Sequence, residues 1–345
     1  MGTRPQRMVA FGELLMRLQP HGHERIVQAS RFEVGYTGGE ANAAALLSGL
    51  GVETACVSRV PDNEVGQACV DHLRRFGIDT THVARGGDRL GLFYLETGAA
   101  QRASKVIYDR DHTSLRSASA DDFDWQAILE DTDWLHFSGT APASGPAIVN
   151  ILETGLRLAR ERGVRVSCDL NYRRKLWTPD EARAAMSQLM PYVNVLIGNE
   201  EDATTVFGIS AAGIDVVQGE LDTGSYQRIA SQLMEMFELE YVATTLRTSI
   251  SASRNRWAGA LFDGDQQYLS RTYEIEPIID RVGGGDSFSG GLIYGLLEGW
   301  DAQACVEFAV AASCLKHSIP GDFAHLSLAE IETLLAGDAS GRVQR

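Results

Sequence analysis

Residues 280–291 read DRVGGGDSFSGG, a stretch in which three consecutive glycines lead into Asp286 and a run of small residues. Glycines leave the backbone N–H groups uncovered by side chains, and the amino terminus of a helix carries a partial positive charge. A helix that begins at Gly283–Gly285 therefore predicts a binding place for an anion such as a phosphate group. The alternative interpretation is a tight turn in which Asp286 serves only as the helix N-cap.

Gly290 and Gly291, further along the same stretch, favour the binding interpretation. A helix cap needs one side chain, whereas each glycine inside a helix costs about 1 kcal/mol relative to alanine. Glycines that persist into the first two turns indicate that something approaches the backbone closely. We therefore expect residues 280–291 to form a ligand site.

Outside this stretch the pattern is typical of an α/β protein of 345 residues, either two domains or one large domain with an excursion. Beyond Trp134, short apolar segments such as LHFSG, NVLIGN, YVATTL and GALF alternate with amphipathic helices, which predicts a mostly parallel sheet covered on both faces. Between about Asp88 and Asp111 two strand-like segments form an excursion. Ligands bind such sheets beyond the carboxyl ends of the strands.

Composition excludes several classes of partner. The formal net charge is −15, so the protein repels nucleic acid and anionic membrane surfaces. The longest apolar runs are too short for a membrane span, and five cysteines without a C-x-x-C pair predict free thiols in a reducing compartment, with the cytoplasm as the expected location. Only three residues are lysines, namely Lys105, Lys175 and Lys316, which leaves arginine to do most of the cationic work.

Several common nucleotide and metal motifs are absent from the sequence. It contains no G-x-x-x-x-G-K-[ST] phosphate loop, no G-x-G-x-x-G dinucleotide turn and no H-E-x-x-H pair. A dehydrogenase with an α/β nucleotide domain is an alternative function, and the missing dinucleotide turn argues against it.

The stretch 280–291 resembles the carboxyl-terminal signature of the PfkB-type, ribokinase-like carbohydrate kinases, D-[ST]-x-G-A-G-D-x-F-x-x-G. It differs at Arg281 and Val282 and in having Gly284 at the usual alanine position. The resemblance implies that the backbone of Gly283, Gly284 and Gly285 forms the anion hole for the transferred phosphoryl group. It also implies that Asp286 accepts the proton of the substrate hydroxyl.

A second segment, Gly38-Gly39-Glu40-Ala41-Asn42, resembles the amino-terminal signature of the same family. By this resemblance Gly38, Gly39 and Asn42 contact sugar hydroxyls. On its own the segment could equally be a simple helix start. Two signatures about 240 residues apart and in the family's order are hard to obtain by chance.

A third segment, Asn199-Glu200-Glu201-Asp202, is similar to the family's Asn-x-x-Glu motif, with Asp202 in the usual glutamate place. The resemblance implies that Asn199 contacts the nucleotide and that Glu200 and Asp202 act on Mg²⁺ through water, which Mg²⁺ normally retains. The alternative is that these acids only favour the first turn of a helix. Arg247 stands where many relatives have a glycine-rich nucleotide loop and is a further nucleotide candidate.

Other segments, including YDR at 108–110, DLNYRRKLW at 169–177 and KHSIPGDF near the end, narrow the resemblance toward 2-keto-3-deoxygluconate kinases. Arginine is a bidentate partner for the carboxylate of a sugar acid. Arg110 and Arg173 are the candidates for this contact, and surface ion pairs are the alternative role for them. The substrate residues implied by the resemblance are Phe93, Tyr108, Arg110, Asn171, Arg173 and Asp322.

Taken over residues 8–336, the resemblance implies a ribokinase-like α/β/α sandwich with a mostly parallel sheet and a small β-lid. The expected kinase domain comprises 8–13, 38–87 and 113–336, the lid 14–37 and 88–112, and the tail 337–345. We expect ATP-dependent phosphorylation of 2-keto-3-deoxygluconate or a close sugar acid, with Mg²⁺ and with a monovalent cation left open as a further cofactor. A homo-oligomer, such as a lid-mediated dimer, is also expected. The alternatives are a kinase of a neutral sugar such as fructose or ribose, and a non-catalytic sugar-binding regulator on the same fold.

Overall fold

The computed structural model describes residues 4–209 and 223–337. These residues form one sheet of ten strands, one sheet of four strands and a set of helices around them. The strands are β1 (Arg7–Phe11), β2 (Leu15–Gln19), β3 (Glu33–Thr37), β4 (Glu53–Val60), β5 (Val83–Arg85), β6 (Gly91–Glu96), β7 (Lys105–Asp109), β8 (Trp134–Ser138), β9 (Arg165–Asp169), β10 (Val195–Asn199), β11 (Tyr241–Ser251), β12 (Arg254–Phe262), β13 (Gln267–Leu269) and β14 (Tyr273–Ile275). The α-helices are α1 (Gly39–Gly49), α2 (Glu64–Arg75), α3 (Trp125–Ile128), α4 (Pro146–Glu161), α5 (Pro179–Leu189), α6 (Glu200–Phe207), α7 (Thr223–Phe237), α8 (Gly284–Leu297), α9 (Ala302–Lys316) and α10 (Leu328–Leu335).

The large sheet is mostly parallel. Its order is β5-β4-β1-β8-β9-β10-β11-β12-β13, and neighbouring strands are parallel from β5 to β11. β12 then runs antiparallel to β11, β13 and β14. The expected segments YVATTL and GALF lie in β11 and β12, which are longer than predicted and pair as an antiparallel hairpin. The expected α/β class with a mostly parallel sheet is confirmed.

Both faces of this sheet are buried, which explains why its strands are continuous apolar runs rather than alternating ones. Within β1, Met8 and Ala10 belong to the core on one face, which includes residues of α1, α8 and α9. Val9 and Phe11 belong to the core on the other face, which includes residues of α4 and α5. Successive side chains of a strand point to opposite faces, so the run MVAF supplies both layers of the sandwich.

The four-stranded sheet has the order β3-β2-β6-β7. β2 pairs in parallel with β6, while β3 and β7 are antiparallel edge strands. All four strands fall inside the two segments, 14–37 and 88–112, that the sequence predicted as a lid. The four strands form a small sheet distinct from the large one, as expected of a lid.

The glycines of α8 reflect helix packing. A Cβ atom at Gly290 would lie 3.0 Å from the carbonyl oxygen of Ala43 in α1, and one at Gly291 would lie 2.9 Å from Cα of Ala309 in α9. The close approach predicted from these two glycines is therefore real, but the approaching groups are neighbouring helices. Gly290 and Gly291 are thus no evidence for a ligand.

Among the described helices, none is both long enough and apolar enough to cross a membrane.

Candidate active site

A cavity of about 830 Å³ opens between the lid and the carboxyl ends of the central parallel strands. Its wall includes residues from the lid, the ends of β9, β10 and β11 and the amino terminus of α8. Most residues that the sequence singled out, although far apart in the chain, lie on this wall. They are Gly38, Gly39, Asn42, Phe93, Tyr108, Arg110, Asn171, Arg173, Asn199, Asp202, Arg247, Gly283, Gly285, Asp286 and Asp322.

Asp286 is the third residue of α8, and Gly283 is the N-cap. The interpretation of Asp286 as an N-cap is therefore wrong. Gly283 has φ 85°, and a Cβ atom there would lie 2.0 Å from the carbonyl oxygen of Asp322. Only glycine fits this position, because a side chain would meet both strain and a collision. The chain thereby enters α8 at an angle that turns Asp286 toward the cavity.

Asp286 is held by the amino-terminal part of the chain. The Asn42 side-chain amide donates a hydrogen bond from Nδ2 to Oδ2 of Asp286 at 2.6 Å, and the hydroxyl of Thr37 donates to Oδ1 of Asn42 at 3.0 Å. A Cβ atom at Gly39 would lie 3.3 Å from Oδ1 of Asp286. The two signatures therefore meet at one carboxylate, and glycine at 39 leaves room beside it.

The three glycines at the start of α8 have different surroundings. Gly284 does not line the cavity: its N–H donates to the carbonyl oxygen of Arg281 at 3.3 Å, and its own carbonyl oxygen accepts from the Ser313 hydroxyl at 2.6 Å. A Cβ atom at Gly285 would have no neighbour within 4 Å. The first turn of a helix leaves its N–H groups without intrahelical acceptors. Gly283, Gly285 and Asp286 line the cavity, and their N–H groups have no acceptor among the described residues.

Carboxylates crowd the cavity wall. Burial raises the pKa of Asp286 to about 6, with the negative charge of Asp322 adding to the rise and the Asn42 hydrogen bond opposing it. Burial also raises the pKa of Asp202 to about 6, against the positive charge of Arg173. Burial, then the charges of Asp286 and Asp202, raises the pKa of Asp169 well above its ordinary value. Neighbouring carboxylates and burial both disfavour the charged form of an acid, so these acids hold their protons to a higher pH than exposed ones do.

The two predicted carboxylate-binding arginines differ in their surroundings. Arg110 is 7% exposed, and its Nε donates to Oε2 of Glu13 at 2.7 Å. Its guanidinium therefore forms an ion pair, as the alternative interpretation held, but the pair is buried rather than on the surface. Arg173 is exposed, and its guanidinium donates to the main-chain oxygen of Tyr172 at 3.3 Å. Arg173 is the more available of the two for an anionic ligand.

Asp322 closes the opposite side of the cavity through a buried ion-pair cluster. Arg17 in β2 contacts one oxygen of Asp322 and lies 2.5 Å from Oδ2 of Asp280. The second oxygen of Asp322, Oδ2, has no hydrogen-bond partner among the described residues. Burial raises the pKa of Asp322, while Arg17 opposes the rise. A lid arginine thus orients Asp322, whose carboxylate is buried at the edge of the cavity.

The predicted nucleotide residues lie on the other wall. The Asn199 side-chain oxygen caps α6 by accepting from the backbone N–H groups of Glu201 and Asp202 at 2.8 and 2.9 Å. Arg247 lies in β11 opposite Trp257 in β12. The side chain of Glu200 lies outside the described part of the structure. No cluster of three or more metal-binding side chains occurs in residues 4–209 and 223–337.

Sequence reasoning missed Glu13 and Asp169, which line the cavity, and Arg17, which contacts Asp322. Asp169 had a signal, because it ends a buried strand two residues before Asn171 and strand ends are where ligands bind. Arg17 had none, since its carboxylate partners are more than 260 residues away in the chain. Glu13 likewise became visible only through its contact with Arg110.

The comparisons with known proteins agree with this geometry. Residues 5–246 and 254–323 match the model of the pfkB family carbohydrate kinases. The 2-dehydro-3-deoxygalactonokinase of Haloferax volcanii is 32% identical over 97% of this chain and 98% of its own length.

Solved structures give the same result. The crystal structure of 2-dehydro-3-deoxygluconokinase from Thermotoga maritima is 48% identical with a TM-score of 0.93, covering 98% of this chain and all of that one. A fructokinase from Xylella fastidiosa with bound ATP is 17% identical with a TM-score of 0.75, covering 96% of this chain and 98% of that one, which is evidence for the fold alone. The chain belongs to the PfkB family of carbohydrate kinases.

Proposed function

We propose that the protein transfers the γ-phosphoryl group of ATP to the terminal hydroxyl of 2-keto-3-deoxygluconate or a closely related sugar acid. The observation that carries the proposal is the placement of Asp286, held by Asn42 beside the open amino terminus of α8, in a cavity that also contains Arg173. The names of the relatives from Haloferax volcanii and Thermotoga maritima support the substrate class.

In this proposal Asp286 is the base that accepts the proton of the attacking hydroxyl. The Asn42 hydrogen bond occupies Oδ2 and leaves Oδ1 to face the substrate across Gly39. Backbone N–H groups of Gly285 and Asp286 stabilise the negative charge on the transferred group. Gly284, whose N–H donates to the carbonyl oxygen of Arg281, would only shape the turn, whereas Gly283 would shape the turn and offer a further N–H group.

The acid end of the substrate would bind Arg173. Its guanidinium is exposed, whereas Arg110 is engaged with Glu13 and would assist from the lid together with Tyr108 and Phe93. Asp322 lines the same cavity and would accept a sugar hydroxyl, and Gly38 and Asn171 would complete the sugar pocket. Substrate discrimination then rests on the carboxylate, since a neutral sugar offers the arginines no opposite charge.

ATP would lie along Asn199 and Arg247, on the cavity wall formed by β10 and β11. Asp169 and Asp202 offer carboxylate oxygens, the donor type that Mg²⁺ prefers, and would reach the ion through its waters as in other nucleotide sites. When bound, Mg²⁺ neutralises charge on the transferring phosphates. Assays with EDTA test this requirement, and assays in potassium-free buffer test the open question of a monovalent cation.

We further propose a homodimer formed through the lid. The outer strands β3 and β7 leave Val34 and Ile107 exposed by 58% and 53%, and edge strands with apolar side chains favour association. Light scattering of the wild type and of Val34→Lys tests the proposal: a dimer that becomes a monomer supports it. The five free cysteines and the use of ATP support a cytoplasmic location.

The deciding experiment assays purified protein with Mg·ATP against sugar acids and neutral sugars. The proposal predicts a kcat/KM for 2-keto-3-deoxygluconate at least about 100-fold above that for fructose or ribose, because a neutral sugar loses the charge-assisted contact with Arg173. Arg173→Ala should raise KM for the acid at least about tenfold. Preference for a neutral sugar would favour the first alternative, and binding without turnover the regulator.

A further inference from the structure

Lys316, one of only three lysines in the chain, is completely buried beneath the amino terminus of α8. It is the last residue of α9, and its Nζ donates to the main-chain oxygens of Asp280 at 3.2 Å and Ile319 at 3.1 Å. A buried ammonium group is costly unless it is paired and hydrogen-bonded. Its presence in the core therefore calls for a reason that packing alone does not give.

The surroundings of Lys316 point to the turn that precedes α8. Its Cε lies 3.1 Å from the position that a Cβ atom at Gly283 would occupy. Asp280, whose main-chain oxygen it holds, accepts from Val282 N–H at 3.0 Å and from Gly321 N–H at 3.2 Å. Lys316 thus donates a hydrogen bond to Asp280, the first residue of the turn, and packs against Gly283, the N-cap of α8.

We infer that Lys316 is a positioning residue for phosphoryl transfer, which holds the Asp280–Gly285 turn and places a positive charge beneath the anion-binding end of α8. The inference rests on the proposed transfer reaction. It goes beyond the proposed reaction because part of the positive charge that stabilises the transferred phosphoryl group then comes from a buried side chain, in addition to the metal ion.

The charges around Lys316 and Asp286 determine in which direction the pKa of Asp286 changes when Lys316 is replaced. Burial lowers the pKa of Lys316, and the guanidinium of Arg17 adds to this effect. The carboxylates of Asp280, Asp322 and Asp286 oppose it and favour the charged ammonium group. The groups that act on Asp286, besides its hydrogen bond from Asn42, are Asp322, Arg173, Lys316, Glu40 and Asp169. The positive charge of Lys316 lowers the pKa of Asp286. Removing that charge therefore raises the pH at which Asp286 gains its proton.

The test compares Lys316→Met and Lys316→Gln with Lys105→Met. Methionine removes both the charge and the donors, glutamine removes the charge but keeps an N–H donor, and Lys105 is an exposed lid residue that serves as control. We expect kcat to fall about 10- to 100-fold in both Lys316 variants while KM for the sugar acid changes by less than about threefold. The acidic limb of the kcat profile should move to higher pH.

A second measurement is independent of the substrate. Carbon-13 NMR titration of the Asp286 carboxyl group in the free protein should show a higher pKa in both Lys316 variants and no change in Lys105→Met. An unchanged Asp286 pKa in folded variants overturns the inference, even if kcat falls. Failure of both variants to fold also overturns it, since Lys316 would then serve the fold as a whole. If the wild type phosphorylates no sugar acid, the proposed function fails, while the titration still reports on Lys316.

Discussion

The helices α1 and α8 begin in similar ways and end up with different tasks. Each starts with glycines followed by one acid in the first turn, Glu40 in α1 and Asp286 in α8. Glu40 is 1% exposed and accepts from the N–H and the hydroxyl of Ser138 at 3.0 and 2.6 Å. Asp286 instead faces the cavity and accepts from Asn42. The same local pattern therefore serves the core at one helix and a ligand at the other.

Neighbouring glycines explain the difference. A Cβ atom at Gly12 would lie 2.0 Å from Oε2 of Glu40, so the space that Gly12 leaves empty is filled by that carboxylate. The side chain of Glu40 is thereby locked between β1 and β8. At α8 the space next to Gly285 is open. Whether an acid in the first turn of a helix is buried or faces a cavity thus depends on the residues that pack opposite to it. The local sequence does not show which residues these are.

The largest effect should come from Asp286→Asn. The amide cannot accept the substrate proton, so we expect kcat to fall about 10²- to 10⁴-fold while sugar and ATP binding persist. Steady-state kinetics with calorimetric binding would measure both. Glu40→Gln is the matched control and should retain most of kcat. An equal loss of kcat in the two variants would contradict the assignment of a catalytic carboxylate to α8 alone.

The next effect concerns the open space at Gly285. Gly285→Ala should leave the fold intact, because the new methyl group has no neighbour within 4 Å and alanine favours helix by about 1 kcal/mol. It should nevertheless lower kcat at least about tenfold, since the methyl group intrudes where the phosphoryl group would lie. Thermal unfolding checks that the fold is intact, and steady-state turnover checks the loss of kcat. Full activity would show that the glycine only makes the turn.

Asn42→Ala would test the link between the two helices. Its hydrogen bond lowers the pKa of Asp286, so its loss should raise that pKa above about 6. Since the base must be deprotonated, activity should be lost at a higher pH than in the wild type as the solution is acidified. We expect about a tenfold loss of kcat near pH 6 and a smaller loss at pH 8. A pH profile with an unmoved acidic limb would contradict the assignment.

The smallest effect is on stability. Burial raises the pKa of Glu40 to about 7, above its ordinary 4.5, so the folded state holds this proton more tightly than the unfolded state. The stabilisation is therefore complete below about pH 4.5 and is lost as the pH rises through about 7. Glu40→Gln imitates the protonated form. Urea unfolding at pH 5 and pH 8 should show a free energy of unfolding less dependent on pH, by about 1–3 kcal/mol, in the variant.

Much of the fold followed from residue patterns. Alternating apolar strands and amphipathic helices gave the parallel sheet, and the two glycine-rich signatures lie together at its carboxyl edge. The reasons given for individual residues were less reliable. Gly290 and Gly291 proved to be packing positions, and Asp286 is an interior residue of the first turn rather than a cap.

What the sequence by itself determined is the chemistry available to this protein: the glycine turn, Asp286, the scarcity of lysine and the succession of strands and helices along the chain. What only the tertiary structure decided is the pairing of distant charges. Three such contacts join distant segments: Arg110 with Glu13, Arg17 with Asp280 and Asp322, and Lys316 with Asp280. The residues of the Arg17–Asp322 pair are 305 positions apart in the chain, and Lys316 and Asp280 are 36 apart. The physical reason is that electrostatic interactions depend on distance and burial in space, and these quantities exist only once the sheet and its helices have formed.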